Sequence, residues 1–189
     1  RIINFDKGRI TSVDSVTDGV SAVHGADNYN DNFLIFPGFI DIHTHCREDT
    51  SGKDIHKEDY LTVGRAALSG GVVCIADMPN NPIVPRDLQS YNQKRCLAES
   101  KCPIDVLIYA GISQTAEPFD GNLLDSRIKQ CDRPYKVFMG PSTNHSGDLN
   151  FDDKIELLRT LGKYAGQSVN FHCENPTILD TMVKRSTHE

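Results

Sequence analysis

The spacing of apolar and polar positions changes character near residue 37. Before it, Arg9-Ile10-Thr11-Ser12-Val13 and Phe33-Leu34-Ile35-Phe36 are short β-like runs, separated by a polar stretch rich in Asp, Asn and Gly. That is the pattern of part of a small β module, a β-sandwich, over 1–36. From Phe39 onward, short apolar runs alternate with longer segments of helical period. Strands are expected at 39–45, 72–78, 104–110, 134–139 and 168–173, and helices at 57–69, 85–99, 121–130, 152–164 and 176–185. Over 152–164, Ile155, Leu158, Leu161 and Tyr164 form an apolar stripe, and Gly70-Gly71 follows the first helix as a stop and turn. Strands that alternate with helices imply βαβ units on a parallel sheet, an α/β fold. No Gly-rich phosphate loop follows the first strand, so nucleotide binding is not expected.

At 189 residues the chain fits one ordinary domain or a large part of a bigger one. It opens at Arg1-Ile2-Ile3-Asn4 without a methionine, so residues upstream are expected. No apolar run approaches the roughly 20 residues of a membrane helix, and no basic-then-apolar leader is present. A cytoplasmic protein with no membrane partner is expected. The net charge of −6, without a basic stripe, argues against nucleic acid as a partner. The six cysteines (Cys46, Cys74, Cys96, Cys102, Cys131, Cys173) show no C-x-x-C spacing and read as reduced thiols. Cys46 and Cys173 each follow a candidate ligand histidine. Strand alternation turns them away from it, as packing residues.

The pointed chemistry lies at the carboxyl ends of the expected strands, where a β/α barrel builds its site. The first strand runs into His43-Thr44-His45-Cys46-Arg47-Glu48. Residues i and i+2 of a strand share a face, so His43 and His45 can aim both imidazoles at one point, half of a metal site. Arg47, one pleat further, would stand beside it as a fork for a carboxylate. A solvated loop in which two histidines happen to alternate fits the same letters. The second strand ends in Asp77-Met78-Pro79-Asn80-Asn81-Pro82, where two prolines stiffen a turn that presents asparagine amides; a plain polar turn reads alike. Lys136 sits inside the apolar run Tyr135-Lys136-Val137-Phe138-Met139. A buried ammonium costs on the order of several kcal/mol unless neutralised or paired. Reaction with carbon dioxide, giving a carbamate able to bridge two metal ions, is one solution; an edge-strand lysine that snorkels to solvent is another. His172 ends the fifth strand in the same setting as His43 and His45. Three histidines and one out-of-place lysine at the same end of three strands favour the metal reading.

The segments 37–48, Met78-Pro79-Asn80, Lys136-Val137-Phe138-Met139-Gly140-Pro141-Ser142-Thr143 and His172-Cys173-Glu174, in this order through nearly the whole chain, resemble the dihydroorotase branch of the amidohydrolase superfamily. The resemblance implies a TIM-like (β/α)8 barrel of which 37–189 would form about the first five units, with two zinc ions. By it, His43 and His45 would hold the more buried metal, carbamylated Lys136 would bridge, and His172 would hold the second metal. Arg47 and Asn80 would grip the carboxylate of dihydroorotate or N-carbamoyl-L-aspartate. A hydroxide bridging the metals would open the ring amide, and the reverse reaction would close the ring in pyrimidine biosynthesis. The implied partner is this small-molecule substrate, with a homodimer left open.

Departures from the family pattern set the limits. A sixth-strand histidine and an eighth-strand aspartate complete the family site, and neither is placed here. The aspartate is expected beyond Glu189, and His188 is not on a sixth strand, so no catalytic residue is assigned within the chain. Five parallel strands cannot close a barrel of shear eight, so the isolated piece is expected to be inactive. The loop over 49–56 is longer than the family's short turn, which touches substrate identity more than metal binding. Relatives acting on allantoin, hydantoins or dihydropyrimidines lack an arginine at the position of Arg47. That residue therefore favours dihydroorotase over allantoinase or dihydropyrimidinase. The competing class is a non-catalytic dihydroorotase-like assembly subunit, against which the retained histidines and lysine weigh.

Overall fold

The computed structural model describes residues 1–15, 27, 34–112, 121, 126, 128–129, 133–140, 142, 151–164 and 166–186. They fall into two compact units, Arg1–Pro37 and Gly38–Glu189. In the first, β1 (Ile2–Asp6) and β2 (Arg9–Asp14) form an antiparallel hairpin. Its turn, Lys7-Gly8, has φ of 48° and 75°, the two positive values that a tight hairpin with right-twisted strands requires. The β-like run expected at 33–36 is not a strand over its described residues: Leu34, Ile35 and Phe36 are irregular and exposed.

In the second unit every strand pair is parallel. β3 (Phe39–Thr44), β4 (Val72–Asp77) and β5 (Asp105–Ile108) form one sheet in that order, and β6 (Ala110–Ile112), β7 (Tyr135–Phe138) and β8 (Val169–His172) form another. Only Tyr109 separates β5 from β6. Its N–H donates to Asp77 O at 3.1 Å, while the next N–H, of Ala110, donates to Pro134 O at 2.8 Å. At that residue the chain passes from pairing with β4 to pairing with β7, which splits the third expected strand in two.

Helices α1 (Tyr60–Ser69), α2 (Leu88–Lys101), α3 (Phe151–Leu161) and α4 (Pro176–Ser186) follow in chain order. The helix expected over 121–130 lies largely outside the described residues. α1 and α2 begin later than the periodicity predicts because each starts at an aspartate cap. Asp59 accepts the Thr62 N–H at 2.7 Å and Asp87 accepts the Ser90 N–H at 2.8 Å. The Thr62 and Ser90 hydroxyls accept the cap N–H groups in return, closing two capping boxes. α1 stops where expected, with Gly71 at a φ of 78°.

Two apolar clusters fix these elements. Cys46, Tyr60, Ile75, Ala98 and Ile108 lock α1 and α2 to β4 and β5, and Ala110, Ile112, Ile128, Tyr135, Val137, Leu157 and Leu161 lock α3 to β6 and β7. The buried face of α3 is therefore Leu157, Thr160 and Leu161; Leu158, expected in the stripe, is exposed. Cys46 is a packing residue as its alternation predicts, but Cys173 is exposed, because β8 ends at His172 and the alternation ends with it. No helix among the described residues is long and apolar enough to cross a membrane.

Candidate functional site

Parallel strands point their carboxyl ends the same way, and the candidate histidines lie at or just past those ends, whereas Lys136, expected at the same end, is the second of the four residues of β7. His43 lies within β3, its N–H donating to Asp41 Oδ1 at 3.0 Å. β3 ends at Thr44, one residue before His45, so the expected strand to 45 is shorter by that residue. The two imidazoles still meet, ring centroids 5.4 Å apart and edge to face. His45 Nδ1 and Asn80 Oδ1 are 2.7 Å apart, a hydrogen bond that joins the ends of β3 and β4. Partial burial, with the Lys136 charge second, lowers the His43 pKa below the ordinary imidazole value. Burial lowers that of His45 as well, with Arg47 and His43 adding to it and the Asn80 bond opposing it. Both rings are thereby biased toward the neutral form that binds metal.

Lys136 occupies β7, paired in register with Gly111 of β6 and Asn170 of β8. β7 is flanked on both sides, so the edge-strand alternative does not hold, and Lys136 is only 2% exposed. Its Nζ lies 5.5 Å from the Phe138 ring centroid, and among the described residues no carboxylate pairs with it. Burial pushes its pKa down, which favours the uncharged amine. His172 closes β8, opposite Phe138 in register, with its ring 5.8 Å from that of Phe138 and Nε2 3.0 Å from Glu174 Oε2. Lys136 and, more weakly, His172 are further causes of the lowered His43 pKa.

Arg47 departs from the pleat that the sequence suggests. It lies beyond the end of β3 and has a φ of 59°, so a turned backbone, not strand alternation, sets its direction. Its Nη1 is buried and has no hydrogen-bond acceptor among the described residues. Asn80 is buried, and its side-chain oxygen is engaged by His45. Among the described residues no three His, Cys, Asp or Glu side chains stand together as a metal site. The donors gathered here are imidazoles and an amine, and the amine becomes an oxygen donor only after chemical conversion.

Sequence reading missed the polar groups behind these residues. Asp77, Lys94, Glu48 and Asn81 are all buried, and they join the end of β4 to the segment after β3 and to α1 and α2. Asn170 Nδ2 donates to the Tyr109 hydroxyl at 2.5 Å, two residue pairs before Phe138 and His172 on β7 and β8. Such contacts are long-range pairings of ordinary residue types, and no local spacing marks them.

No family model matches the chain. A dihydroorotase of Methanosphaera stadtmanae is 29% identical over 151 residues, 80% of this chain and 31% of that protein. An allantoinase of Bacillus licheniformis is 33% identical over 159 residues, 79% of this chain and 33% of that protein. The chain thus spans about a third of the length of these curated relatives. Among solved structures, the L-hydantoinase (dihydropyrimidinase) of Arthrobacter aurescens superposes with a TM-score of 0.64 at 19% identity, over 79% of this chain and 32% of that one. At that identity the likeness speaks for the fold alone, a β/α-barrel architecture. Over most of its length the chain is a homologue of proteins named dihydroorotase and allantoinase.

Proposed function

We propose that this chain carries the metal-binding and carboxylate-binding part of a cyclic amidohydrolase site, and that the reaction is the interconversion of dihydroorotate and N-carbamoyl-L-aspartate. The observations that carry the reading are the His43 and His45 rings 5.4 Å apart at the end of β3, the buried Lys136 within β7 and His172 at the end of β8, together with a buried arginine nitrogen that has no acceptor among the described residues.

The donor set fits zinc. His43 and His45 are biased toward neutral imidazoles, and Lys136 is a buried amine with no carboxylate to neutralise it among the described residues. An uncharged amine adds carbon dioxide and releases one proton, forming an N–C bond and an anionic group with two oxygens. Burial supplies the uncharged amine, and the carbamate replaces an awkward cation with an anion that metal ions balance. Two zinc ions would be held by His43 and His45, by carbamylated Lys136 and by His172. Such ions, when bound, activate water near neutral pH and polarise the ring carbonyl.

The protein's own part is to orient the ring. Arg47, with Asn80 beside His45, receives the substrate carboxylate. A guanidinium left unpaired in a buried site penalises ligands that lack the acid, as allantoin and dihydropyrimidines do. The allantoinase relative keeps that second reading in view.

Turnover by the full-length protein, supplied with zinc and bicarbonate, decides among the readings. The expected kcat/KM for dihydroorotate exceeds that for allantoin or dihydrouracil by about a thousandfold or more. Preference for allantoin would move the assignment to allantoinase. A zinc-loaded protein that turned over none of the three would be a non-catalytic subunit.

A further inference from the structure

A residue bearing a Cβ keeps the left-handed conformation of Arg47, φ 59°, only where its surroundings over-determine it. The residues on either side of Arg47 are each held at their outer peptide by a fully buried side chain. Before it, the Cys46 N–H donates to Asp77 Oδ1 at 2.9 Å; after it, the Glu48 carbonyl accepts from Asn81 Nδ2 at 2.8 Å. Asp77 and Asn81 are both 0% exposed.

The clamps are themselves held. Asp77 Oδ2 accepts the Tyr60 hydroxyl at 2.8 Å and lies 2.8 Å from the Lys94 ammonium, an ion pair off the line of a directed hydrogen bond. Glu48 accepts the Tyr60 N–H at 2.9 Å and pairs with Lys101. A buried ion pair such as Asp77 with Lys94 adds little net stability over apolar side chains of the same shape. What an aspartate offers there, and an apolar side chain does not, is an acceptor for the N–H of Cys46, the residue before Arg47.

We propose that Asp77 and Asn81 are positioning residues that preset the Arg47 guanidinium for a carboxylate-bearing ligand by holding its neighbours Cys46 and Glu48, through the Cys46 N–H and the Glu48 carbonyl. The choice of ligand rests on the function proposed above; the clamp does not. His43 lies within β3 and His45 is tied through Asn80, so zinc content should not follow the clamp.

The test compares Asp77→Leu/Lys94→Met with Asp77→Asn/Lys94→Met in the full-length protein. Both remove the buried ion pair without stranding a charge, and only the second keeps an oxygen for the Cys46 N–H. The readouts are calorimetric Kd for dihydroorotate, kcat and zinc content, with circular dichroism to confirm folding. The leucine variant should bind dihydroorotate about tenfold or more weakly than the asparagine variant, with kcat and zinc content within about twofold. Equal Kd in the two folded variants overturns the proposal, as does a loss confined to kcat or zinc. If the leucine variant does not fold, Asn81→Ala, measured against wild type, carries the same expected loss in Kd and the same refutation. Wild type that binds dihydroorotate without turning it over refutes the proposed function alone. Wild type that does not bind it overturns both.

Discussion

Replacing Lys136 with methionine is expected to raise the melting temperature of the metal-free protein while abolishing its zinc binding and turnover. Lys136 is 2% exposed on a strand with neighbours on both sides, and among the described residues no carboxylate offsets its charge. Methionine has a similar length, fills the same space and carries nothing to desolvate. Removing the desolvation cost should add about 1 kcal/mol, which for a protein of this size is a rise of about 2–4 °C in Tm. The same change removes the only side chain at this position able to become a bridging carbamate, so kcat/KM for dihydroorotate should fall by about a thousandfold or more. A scaffold role for Lys136 makes the opposite forecast, lower stability with retained zinc. Calorimetric melting and metal analysis of one preparation separate the two.

Arg47→Ala should raise KM for dihydroorotate by about 2–4 kcal/mol, roughly thirty- to a thousandfold, because a buried charge pair with the substrate is lost. Turnover at saturation should change far less, since the guanidinium holds the acid and not the ring amide. No loss of stability should accompany this. The side chain leaves Nη1 buried without a partner among the described residues and its backbone sits at a φ of 59°, both of which cost the folded state. Arg47→Gly, which relieves the backbone, should melt no lower than wild type and bind the acid as poorly as the alanine variant. A variant at Arg47 with unchanged KM would remove the reason for preferring an acid-bearing substrate.

The parts of this architecture that depend on local pattern were legible from the residues alone. Alternating apolar runs and helical segments located β3, β4, β7 and β8 to within a residue or two, and they marked the strand ends where the candidate ligands stand. Helix starts were less well placed, because the hydrophobic period runs on through polar residues while the backbone begins at the Asp59 and Asp87 caps. Arg47 shows the limit of strand alternation. It shares the parity of His43 and His45, yet β3 has already ended and the backbone turns through the left-handed region. Lys136 was ambiguous between a buried and a snorkelling cation because strand order, not strand identity, decides which it is. The network of Asp77, Lys94, Tyr60, Glu48 and Asn81 was invisible for another reason. Its members lie up to 46 positions apart between Glu48 and Lys94 and have no shared period. Only the packing of α1 and α2 against β4 and β5 brings them together.

Zinc stoichiometry tests the central claim most directly. Full-length protein loaded with zinc in bicarbonate buffer, then stripped of loosely held metal, should retain about two zinc ions per chain by mass spectrometry, the count a two-metal site holds. His43→Ala/His45→Ala should retain less than about one under the same treatment, since the ligands of one ion are gone. Equal zinc content in the two proteins would contradict the account.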